Sequence, residues 1–214
     1  MKYIIMCGGK YDVWETPKHL QVINGEVLVA RTIRLLKENG ITDIAITSND
    51  NRFDNFGVER ISHNNTFEYK EGKSYGYWLD AYYQLPDKEK VCYIYGDVYF
   101  TDKAIKTIVN YKSNDNILFG TKDAKNKYHE NWGEPFAYKV NNNKAFKKGI
   151  EAVKRLQDKG KTKRIAITWE LYRYLNGLDL NIQQVLDETY VCIDDGTMDI
   201  DNPQELEELK KVVK

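Results

Sequence analysis

The chain has 214 residues, and its 32 lysines and arginines balance 32 aspartates and glutamates, so net charge favours neither nucleic acid nor a membrane surface as a partner. This length suits one domain, residues 1–214, and no apolar run is long enough to span a bilayer. Three widely spaced cysteines argue against a disulfide scaffold or zinc site and, with no signal segment in the sequence, predict a cytoplasmic protein.

The first predicted element is a buried strand, Tyr3 to Met6, which runs through Cys7 into Gly8 and Gly9. In open α/β sheets, ligands bind beyond the carboxyl ends of the strands. Glycines there let backbone N–H groups approach a phosphate, and Lys10 and Lys18 add positive charge to the loop. A plain turn is the commoner explanation of two adjacent glycines, so the loop alone does not establish an anion site.

The second predicted unit is a parallel crossover. Apolar residues at helical spacing predict a helix over Val27 to Asn39, Gly40 ends it, and Ile41 to Thr47 returns to a strand. Because right-handed crossovers place the carboxyl ends of both strands at one edge, Ser48, Asn49 and Asp50 are expected beside the glycine loop. The order of elements predicts an α/β fold with a mostly parallel sheet.

The middle of the chain is predicted to hold a short strand at Val58 to Ile61, a loop over Asn64 to Ser74 and a helix over Tyr75 to Leu85. The next strand, Val91 to Tyr95, ends in Gly96-Asp97. A carboxylate at the end of a central strand is well placed to bind Mg²⁺, which prefers hard oxygen ligands. An aspartate in an ordinary turn is the alternative.

The second half is predicted to contain two amphipathic helices, a basic run and a further helix start. The predicted elements are a helix over Thr101 to Tyr111 with Thr101 as N-cap, a strand over Asn116 to Gly120, a strand after Gly133, a helix over Ala145 to Asp158, and a helix whose N-cap is Thr168. The basic run, Lys159 to Arg164, is typical of a solvated surface. A sharper alternative is that Lys163 or Arg164 holds a phosphate.

The last predicted strand, Tyr190 to Ile193, is followed by an acidic segment with Asp199 and Asp201. On an extended segment these two side chains share one face. Asn202 and Pro203 then start a helix, with Glu205 in position for a capping box. Asp201 is thereby expected just before the N-terminus of that helix.

Several of these segments resemble the nucleotidyltransferases, which join a nucleoside monophosphate to a sugar phosphate, phosphocholine or polyol phosphate. The resemblance rests on Gly8-Gly9, Thr16-Pro17-Lys18, Leu20, Ile23 to Leu28, Arg31 to Ile33, Gly40-Ile41, Gly96-Asp97, and Asp199 to Pro203. It implies a Rossmann-like, mixed, mostly parallel sheet flanked by helices. One departure is that the glycine loop is short and lacks the family's arginine, with Lys10-Tyr11-Asp12 in its place.

The resemblance also implies roles for individual residues. Lys18, Asp97 and Asp201 are expected to be catalytic, with Mg²⁺ as cofactor on Asp97, Asp201 and Asp199. Expected nucleotide contacts are Cys7, Gly8, Gly9, Lys10, Lys18, Ser48, Asn49, Lys73, Ser74, Gly76 and Gly96. Expected contacts with the acceptor, the second substrate, are Trp132, Glu134, Lys163, Arg164, Trp169 and Glu170. Trp132, with Tyr128, is alternatively a cation–π lid over a trimethylammonium group.

The resemblance is strongest to small bacterial cytidylyltransferases that use CTP and a polyol phosphate such as glycerol phosphate, for capsule or cell-wall polysaccharide synthesis. Alternatives are a sugar 1-phosphate nucleotidyltransferase using UTP or dTTP, and a phosphocholine cytidylyltransferase. From other classes come a nucleotide-binding domain without activity and a glycosyltransferase with an Asp-x-Asp metal motif. The acceptor, the base and the oligomeric state stay open, a homodimer included.

Overall fold

The computed structural model describes residues 1–62, 65–121 and 133–213. Its α-helices are α1 (Leu28–Glu38), α2 (Asp102–Asn110), α3 (Asn143–Asp158), α4 (Thr168–Leu175) and α5 (Pro203–Val212). Its strands are β1 (Lys2–Met6), β2 (Lys10–Tyr11), β3 (Val22–Ile23), β4 (Glu26–Val27), β5 (Ile44–Thr47), β6 (Glu59–Ile61), β7 (Glu68–Lys70), β8 (Lys73–Tyr75), β9 (Val91–Tyr95), β10 (Val98–Tyr99), β11 (Ile117–Gly120), β12 (Pro135–Val140), β13 (Tyr190–Cys192) and β14 (Met198–Asp199).

The centre of the fold is a seven-stranded sheet in the order β13-β11-β12-β9-β1-β5-β6. Only β12 runs antiparallel to its neighbours, β9 and β11. The other strand pairs of this sheet are parallel. The helices flank this sheet, so the predicted α/β class with a mixed, mostly parallel sheet is confirmed.

The three central strands end at the same level. Met6 of β1 pairs with Thr47 of β5 on one side and with Tyr95 of β9 on the other. Nearly all residues of these strands are buried, which explains the continuous apolar runs in the sequence. The chain therefore leaves all three strands at one edge, at Cys7, Ser48 and Gly96.

The predictions for residues 65–85 were wrong, and residue 64 lies outside the described residues. Instead of a loop and a helix, this region forms a hairpin of β7 and β8, followed by a short 3₁₀ turn over Trp78–Ala81. Glu71 and Gly72, with φ of 52° and 75°, form the two-residue turn between the strands. The hairpin also pairs with β2, which ties it to the loop after Gly9.

A second, smaller hydrophobic cluster lies beside the sheet. Tyr99 of β10 packs there against Ile200 and against Leu206 and Leu209 of α5, with Trp14 at its margin. The antiparallel pair β10–β14 joins the segment after β9 to the segment before α5. This cluster anchors the last helix beside the end of β9.

The predicted starts of two helices are confirmed by their caps. The side chain of Thr101 accepts a hydrogen bond from the Ala104 amide at 3.0 Å, and that of Asn202 accepts one from Glu205 at 3.0 Å. The predicted cap at Thr168 was wrong, because Thr168 is the first residue of α4 and its buried hydroxyl contacts Tyr82 and Tyr95. Within the described ranges, no helix is long and apolar enough to cross a membrane.

Candidate active site

Lys18, Asp97 and Asp201 meet at the edge where the central strands end. The Nζ atom of Lys18 lies 2.7 Å from Oδ2 of Asp97 and 2.8 Å from Oδ1 of Asp201. The lysine side chain is only 2% exposed, whereas 22% of the Asp97 and 41% of the Asp201 side chain is exposed. A buried ammonium is therefore held by two carboxylates that still face solvent.

Backbone pairing brings the two aspartates together from distant parts of the sequence. The Ile200 amide donates to the Asp97 carbonyl oxygen at 3.0 Å, next to the β10–β14 pair. The Asp201 amide donates to Glu205 Oε2 at 2.7 Å, and the Trp14 indole donates to the Asp201 carbonyl oxygen at 3.0 Å. Glu205 thus fixes the residue before the N-cap rather than the cap itself.

Asp199 lies deeper than its two acidic neighbours. Burial is the main cause that raises its pKa well above the ordinary range, and the charges of Asp201, Glu134 and Asp97 add to it. Its Oδ1 atom is buried and has no hydrogen-bond partner among the described residues. Asp199 is therefore a carboxyl group that favours the protonated form.

The residues at this edge fit Mg²⁺ by their donor chemistry. Asp97 and Asp201 supply hard carboxylate oxygens, and Mg²⁺ commonly takes one or two such ligands with phosphate oxygens and water completing its shell. The described ranges contain no group of three or more acidic, histidine or cysteine side chains arranged as a complete metal site. Lys18 lies between the two carboxylates, and a substrate phosphate would have to provide the missing ligands.

A first cavity of about 540 Å³ opens on one side of Lys18. It is lined by Cys7, Gly8, Gly9, Trp14, Glu15, Pro17, Lys18, His19, Ser48, Asn49, Asp50, Arg52, Phe53 and residues 65–68. Most of the predicted nucleotide contacts therefore surround one space. Gly9 has a φ of 92°, a conformation that favours glycine.

Gly96 does not line the first cavity, but it packs against Cys7, which does. A Cβ atom at Gly96 would lie 2.5 Å from Cys7 Sγ and 2.6 Å from the Met6 carbonyl oxygen. Only glycine fits there without displacing the end of β1. Lys10 lies in β2, whose backbone pairs with β7.

The hairpin contributes to the first cavity in a different way from the prediction. Lys73 and Ser74 are exposed on β8 and are not among the residues lining the cavity. Gly76 is also outside it, and a Cβ there would lie 2.1 Å from the carbonyl oxygen of Thr66, which does line it. Residues 65–68 line the cavity in place of Lys73, Ser74 and Gly76, because the segment predicted as a loop and a helix forms a hairpin.

A second cavity of about 260 Å³ lies on the other side of the aspartates. It is lined by Trp78, Tyr95, Asp97, Gly133, Glu134, Pro135, Arg164, Ile167, Thr168, Trp169, Asp199 and Asp201. Three predicted acceptor contacts, Glu134, Arg164 and Trp169, are among them. The indole of Trp169 donates to the Gly133 carbonyl oxygen at 3.0 Å and stacks on Tyr190, which fixes its orientation.

Other predicted acceptor contacts lie outside this cavity. Lys163 is exposed and donates to the carbonyl oxygen of Asn181 at 3.4 Å. Glu170 is buried and caps α4 by accepting from the Ile167 amide at 2.9 Å, and it also accepts from Arg164 at 3.2 Å. It positions the arginine rather than facing the cavity. Trp132 and Tyr128 lie outside the described residues.

Sequence reasoning missed several residues that line these spaces. Trp78 and Tyr95 line the second cavity, and both also line a narrow cavity of about 50 Å³ next to Gly8 and Gly9. Arg52 lines the first cavity and forms an ion pair with Asp50. Arg52 could have been predicted, because it follows the same predicted strand as Asp50. Trp78 and residues 65–68 could not, because the helix and loop predicted for their segments were wrong.

Two side chains beside Lys18 are kept uncharged by burial. The pKa of His19 is lowered to about 4, mainly by burial, while Asp97 opposes and Lys18 adds to the shift. Burial likewise raises the pKa of the Cys7 thiol well above its ordinary value, with a contribution from Asp97. At neutral pH, the charge of this region therefore comes from the lysine and the carboxylates.

The fold and the position of this site define a class, the α/β proteins whose ligands bind at the carboxyl edge of a mostly parallel sheet. No family model matches the sequence, and a search of the curated proteins finds no match. Solved structures do share the fold along nearly the whole chain.

Three solved structures with this fold are nucleotidyltransferases. A Bacillus anthracis protein assigned as a glucose-1-phosphate thymidylyltransferase has a TM-score of 0.60 at 16% identity, over 99% of this chain and 94% of its own. The CTP:phosphocholine cytidylyltransferase of Streptococcus pneumoniae has a TM-score of 0.57 at 16% identity, over 100% and 99%. The inositol-1-phosphate CTP transferase of T. maritima has a TM-score of 0.53 at 14% identity, over 99% and 95%.

Proposed function

We propose that this protein is a nucleotidyltransferase that joins CMP, taken from CTP, to a small phosphorylated polyol of the glycerol phosphate type and releases pyrophosphate. The observation that carries the proposal is the Lys18 ammonium bridging Asp97 and Asp201 between two cavities. Two cavities that meet at one cation and two carboxylates suit a reaction between two anionic substrates.

The reaction is the attack of an acceptor phosphate oxygen on the α-phosphorus of the triphosphate. A new bond forms between that oxygen and the α-phosphorus, and the bond from the α-phosphorus to the bridging oxygen breaks, so pyrophosphate leaves with the electron pair. The acceptor is already an anion, so no side chain has to act as nucleophile. Catalysis then consists of in-line placement and charge stabilisation.

Each residue of the site has a role in this reaction. The backbone of Gly8 and Gly9 receives the phosphates, and Lys18 stabilises the charge that builds on the α-phosphate and its bridging oxygen. Asp97 and Asp201 would hold Mg²⁺, with Asp199 as the alternative ligand. When bound, the ion neutralises phosphate charge and aligns the reacting groups.

The second cavity is the proposed acceptor site. Arg164, held by Glu170, is placed to bind the acceptor phosphate. Glu134 and Asp199 supply carboxyl oxygens that accept hydrogen bonds from polyol hydroxyls. In this assignment Lys163 has no direct role.

A phosphocholine acceptor is the second candidate. The rings of Trp78, Tyr95 and Trp169 line the same cavity as Glu134 and Asp199. Aromatic faces beside carboxyl groups attract a quaternary ammonium group by cation–π interaction. This favours phosphocholine over a sugar 1-phosphate as the alternative to a polyol phosphate.

The test is a matrix of the four nucleoside triphosphates against glycerol phosphates, other polyol phosphates, phosphocholine and sugar 1-phosphates, with Mg²⁺ present. Pyrophosphate and the mass of the product are recorded for each pair. We expect pyrophosphate only with CTP and a polyol phosphate. Release of a nucleoside diphosphate from a nucleotide sugar would instead identify a glycosyltransferase, and no turnover with any pair would leave a nucleotide-binding domain.

A further inference from the structure

Two buried polar atoms beside the glycine loop have no hydrogen-bond partner among the described residues. They are Nδ1 of His19 and Nδ2 of Asn65. Both residues line the first cavity and also the narrow cavity of about 50 Å³ that extends from Gly8 and Gly9 towards Trp78. Because a buried polar atom without a partner costs roughly 1–3 kcal/mol, this pair indicates a ligand that satisfies both atoms.

A turn that begins at Asn65 determines which side-chain atom of this residue is left to bind a ligand. Its Oδ1 atom accepts from the Phe67 amide at 3.0 Å, which closes an Asx turn. The amide nitrogen must therefore point away from the Phe67 amide, and it can only donate. The matching ligand group is an acceptor, such as a carbonyl or hydroxyl oxygen.

The His19 ring is held from two sides. It packs edge-on against Phe53 with ring centroids 6.1 Å apart, and its Cδ2 atom faces Gly96. The residue is 4% exposed and follows Lys18 directly in a 3₁₀ turn, so its position relative to the catalytic lysine is fixed. A neutral imidazole offers one donor and one acceptor to a polar group.

The surroundings of this pair suit the uncharged part of a nucleotide. The narrow cavity is lined by Phe67, Trp78, Ala81 and Tyr95, and Asp97 is the one charged side chain among its lining residues in the described ranges. A phosphate would meet a carboxylate there and no cation. The two described cations near the glycine loop, Lys18 and Arg52, line the first cavity instead.

We infer that His19 and Asn65 bind the nucleoside, by hydrogen bonds to an oxygen acceptor on the base or the ribose, while Lys18 and the glycine loop bind the phosphates. This inference rests on the proposed function and deepens it, because it separates a nucleoside subsite from a phosphate subsite. Asn65 donates to a base carbonyl or a ribose hydroxyl, and His19 forms its hydrogen bond with the same part of the nucleoside.

The experiment measures dissociation constants of CTP, cytidine and pyrophosphate for the wild type and four variants. Asn65→Asp keeps the Asx acceptor and removes the donor, and His19→Phe keeps the ring and removes both nitrogens. We expect each to bind cytidine about tenfold more weakly, the effect of one lost hydrogen bond, with pyrophosphate binding within twofold for His19→Phe. His19→Asn, which restores a polar atom near Nδ1, should recover part of the loss.

Lys18→Met is a control with the opposite expected pattern. It should weaken pyrophosphate binding by about tenfold or more and leave cytidine binding unchanged. Thermal unfolding of each variant shows whether it is folded. A wild-type comparison needs no variant: CTP is measured against 2′-deoxy-CTP and 2-thio-CTP, and weaker binding of one of them identifies the ribose or the base as the acceptor.

The outcomes separate the inference from the proposed function. If the wild type binds none of the four triphosphates, the proposed function fails. If it binds CTP, but the His19 and Asn65 variants bind cytidine as the wild type does and both analogues bind like CTP, only the inference is overturned. If another triphosphate binds best, that nucleotide and its nucleoside take the place of CTP and cytidine in the same comparison.

Discussion

The two cavities on either side of Lys18 differ in their balance of cations and carboxyl groups. The first cavity combines backbone groups of Gly8 and Gly9 with two cations, Lys18 and Arg52, and three carboxylates, Glu15, Asp50 and Glu68. The second is lined by Asp97, Glu134, Asp199 and Asp201 against a single described cation, Arg164. The first side therefore offers a glycine loop and two cations against three carboxylates, whereas the second, acidic side offers one cation against four carboxyl groups.

In the proposed reaction, this difference favours one substrate on each side. A triphosphate carries more charge than an acceptor with one phosphate, so we propose that it binds on the side with the glycine loop, Lys18 and Arg52. The acidic side suits an acceptor with hydroxyl or ammonium groups beyond its phosphate. An acceptor without such groups would meet mostly repulsion there.

The largest expected effect comes from removing Asp97, the carboxylate of the second cavity that pairs with Lys18 of the first. Asp97→Ala should lower the turnover rate by roughly 10²–10³ or more, since one preorganised charge typically contributes that much. Pyrophosphate release measures the effect, and thermal unfolding checks that the variant is folded. Normal turnover in a well-folded Asp97→Ala protein would rule out the assignment of Asp97.

The second prediction tests whether the second cavity binds the acceptor and the first cavity the nucleotide. Arg164→Ala should raise KM for the acceptor about thirtyfold, because a charge-assisted hydrogen bond to phosphate is lost. Nucleotide affinity should stay the same. The neighbouring Lys163→Ala is a matched control that removes an exposed cation outside both cavities, and equal effects of the two substitutions would contradict the assignment.

The third prediction concerns Gly96, which follows β9 and packs against the end of β1. Gly96→Ala should lower the free energy of unfolding by about 1.5 kcal/mol, because the added Cβ overlaps the Met6 carbonyl oxygen and Cys7 Sγ. Urea denaturation measures the change. Gly196→Ala is the control, since its Cβ would meet Thr101 Cγ2 at an ordinary 3.5 Å.

The smallest expected effect tests the buried carboxyl group of the acidic side. The pKa of Asp199 is raised in the folded state, so the folded protein binds a proton that the unfolded chain releases, and stability falls as pH rises above the ordinary aspartate range. Asp199→Asn does not titrate, so its stability relative to the wild type should increase by about 1 kcal/mol between pH 5 and pH 8.

Urea denaturation at both pH values measures this difference. Asp115→Asn, at an exposed position, is the control and should shift stability equally at the two pH values. An Asp199→Asn protein whose relative stability does not change with pH would mean that Asp199 is ionised and paired at neutral pH.

The sequence predicted the parallel centre of the fold because its strands and helices have clear periods. Ile4, Ile46 and Ile94 lie in uninterrupted apolar runs, and the helices at Leu28–Glu38 and Asp102–Asn110 follow the 3.6-residue period. Local chemistry was enough for the caps at Thr101 and Asn202. The convergence of Lys18, Asp97 and Asp201 came from the family resemblance, since nothing local in the sequence relates these residues.

The hairpin at residues 68–75 could not be predicted from the same signals. Its strands are three residues each, too short for an alternating pattern, and its turn, Glu71-Gly72, has a glutamate at a position that usually carries asparagine or aspartate. The lining residues Asn65, Thr66 and Phe67 depend on that hairpin for their placement. Arg164 and Lys163 are adjacent and alike in charge, so only the tertiary structure distinguishes them.

The small hydrophobic cluster around α5 has a consequence for biosynthesis. The strands that end at Cys7, Ser48 and Gly96 are all translated well before Asp201 and the helix that holds it. A nascent chain can therefore assemble its glycine loop and bury Lys18 next to Asp97 long before the second carboxylate arrives. The proposed pair of metal-binding carboxylates is then completed only when α5 docks.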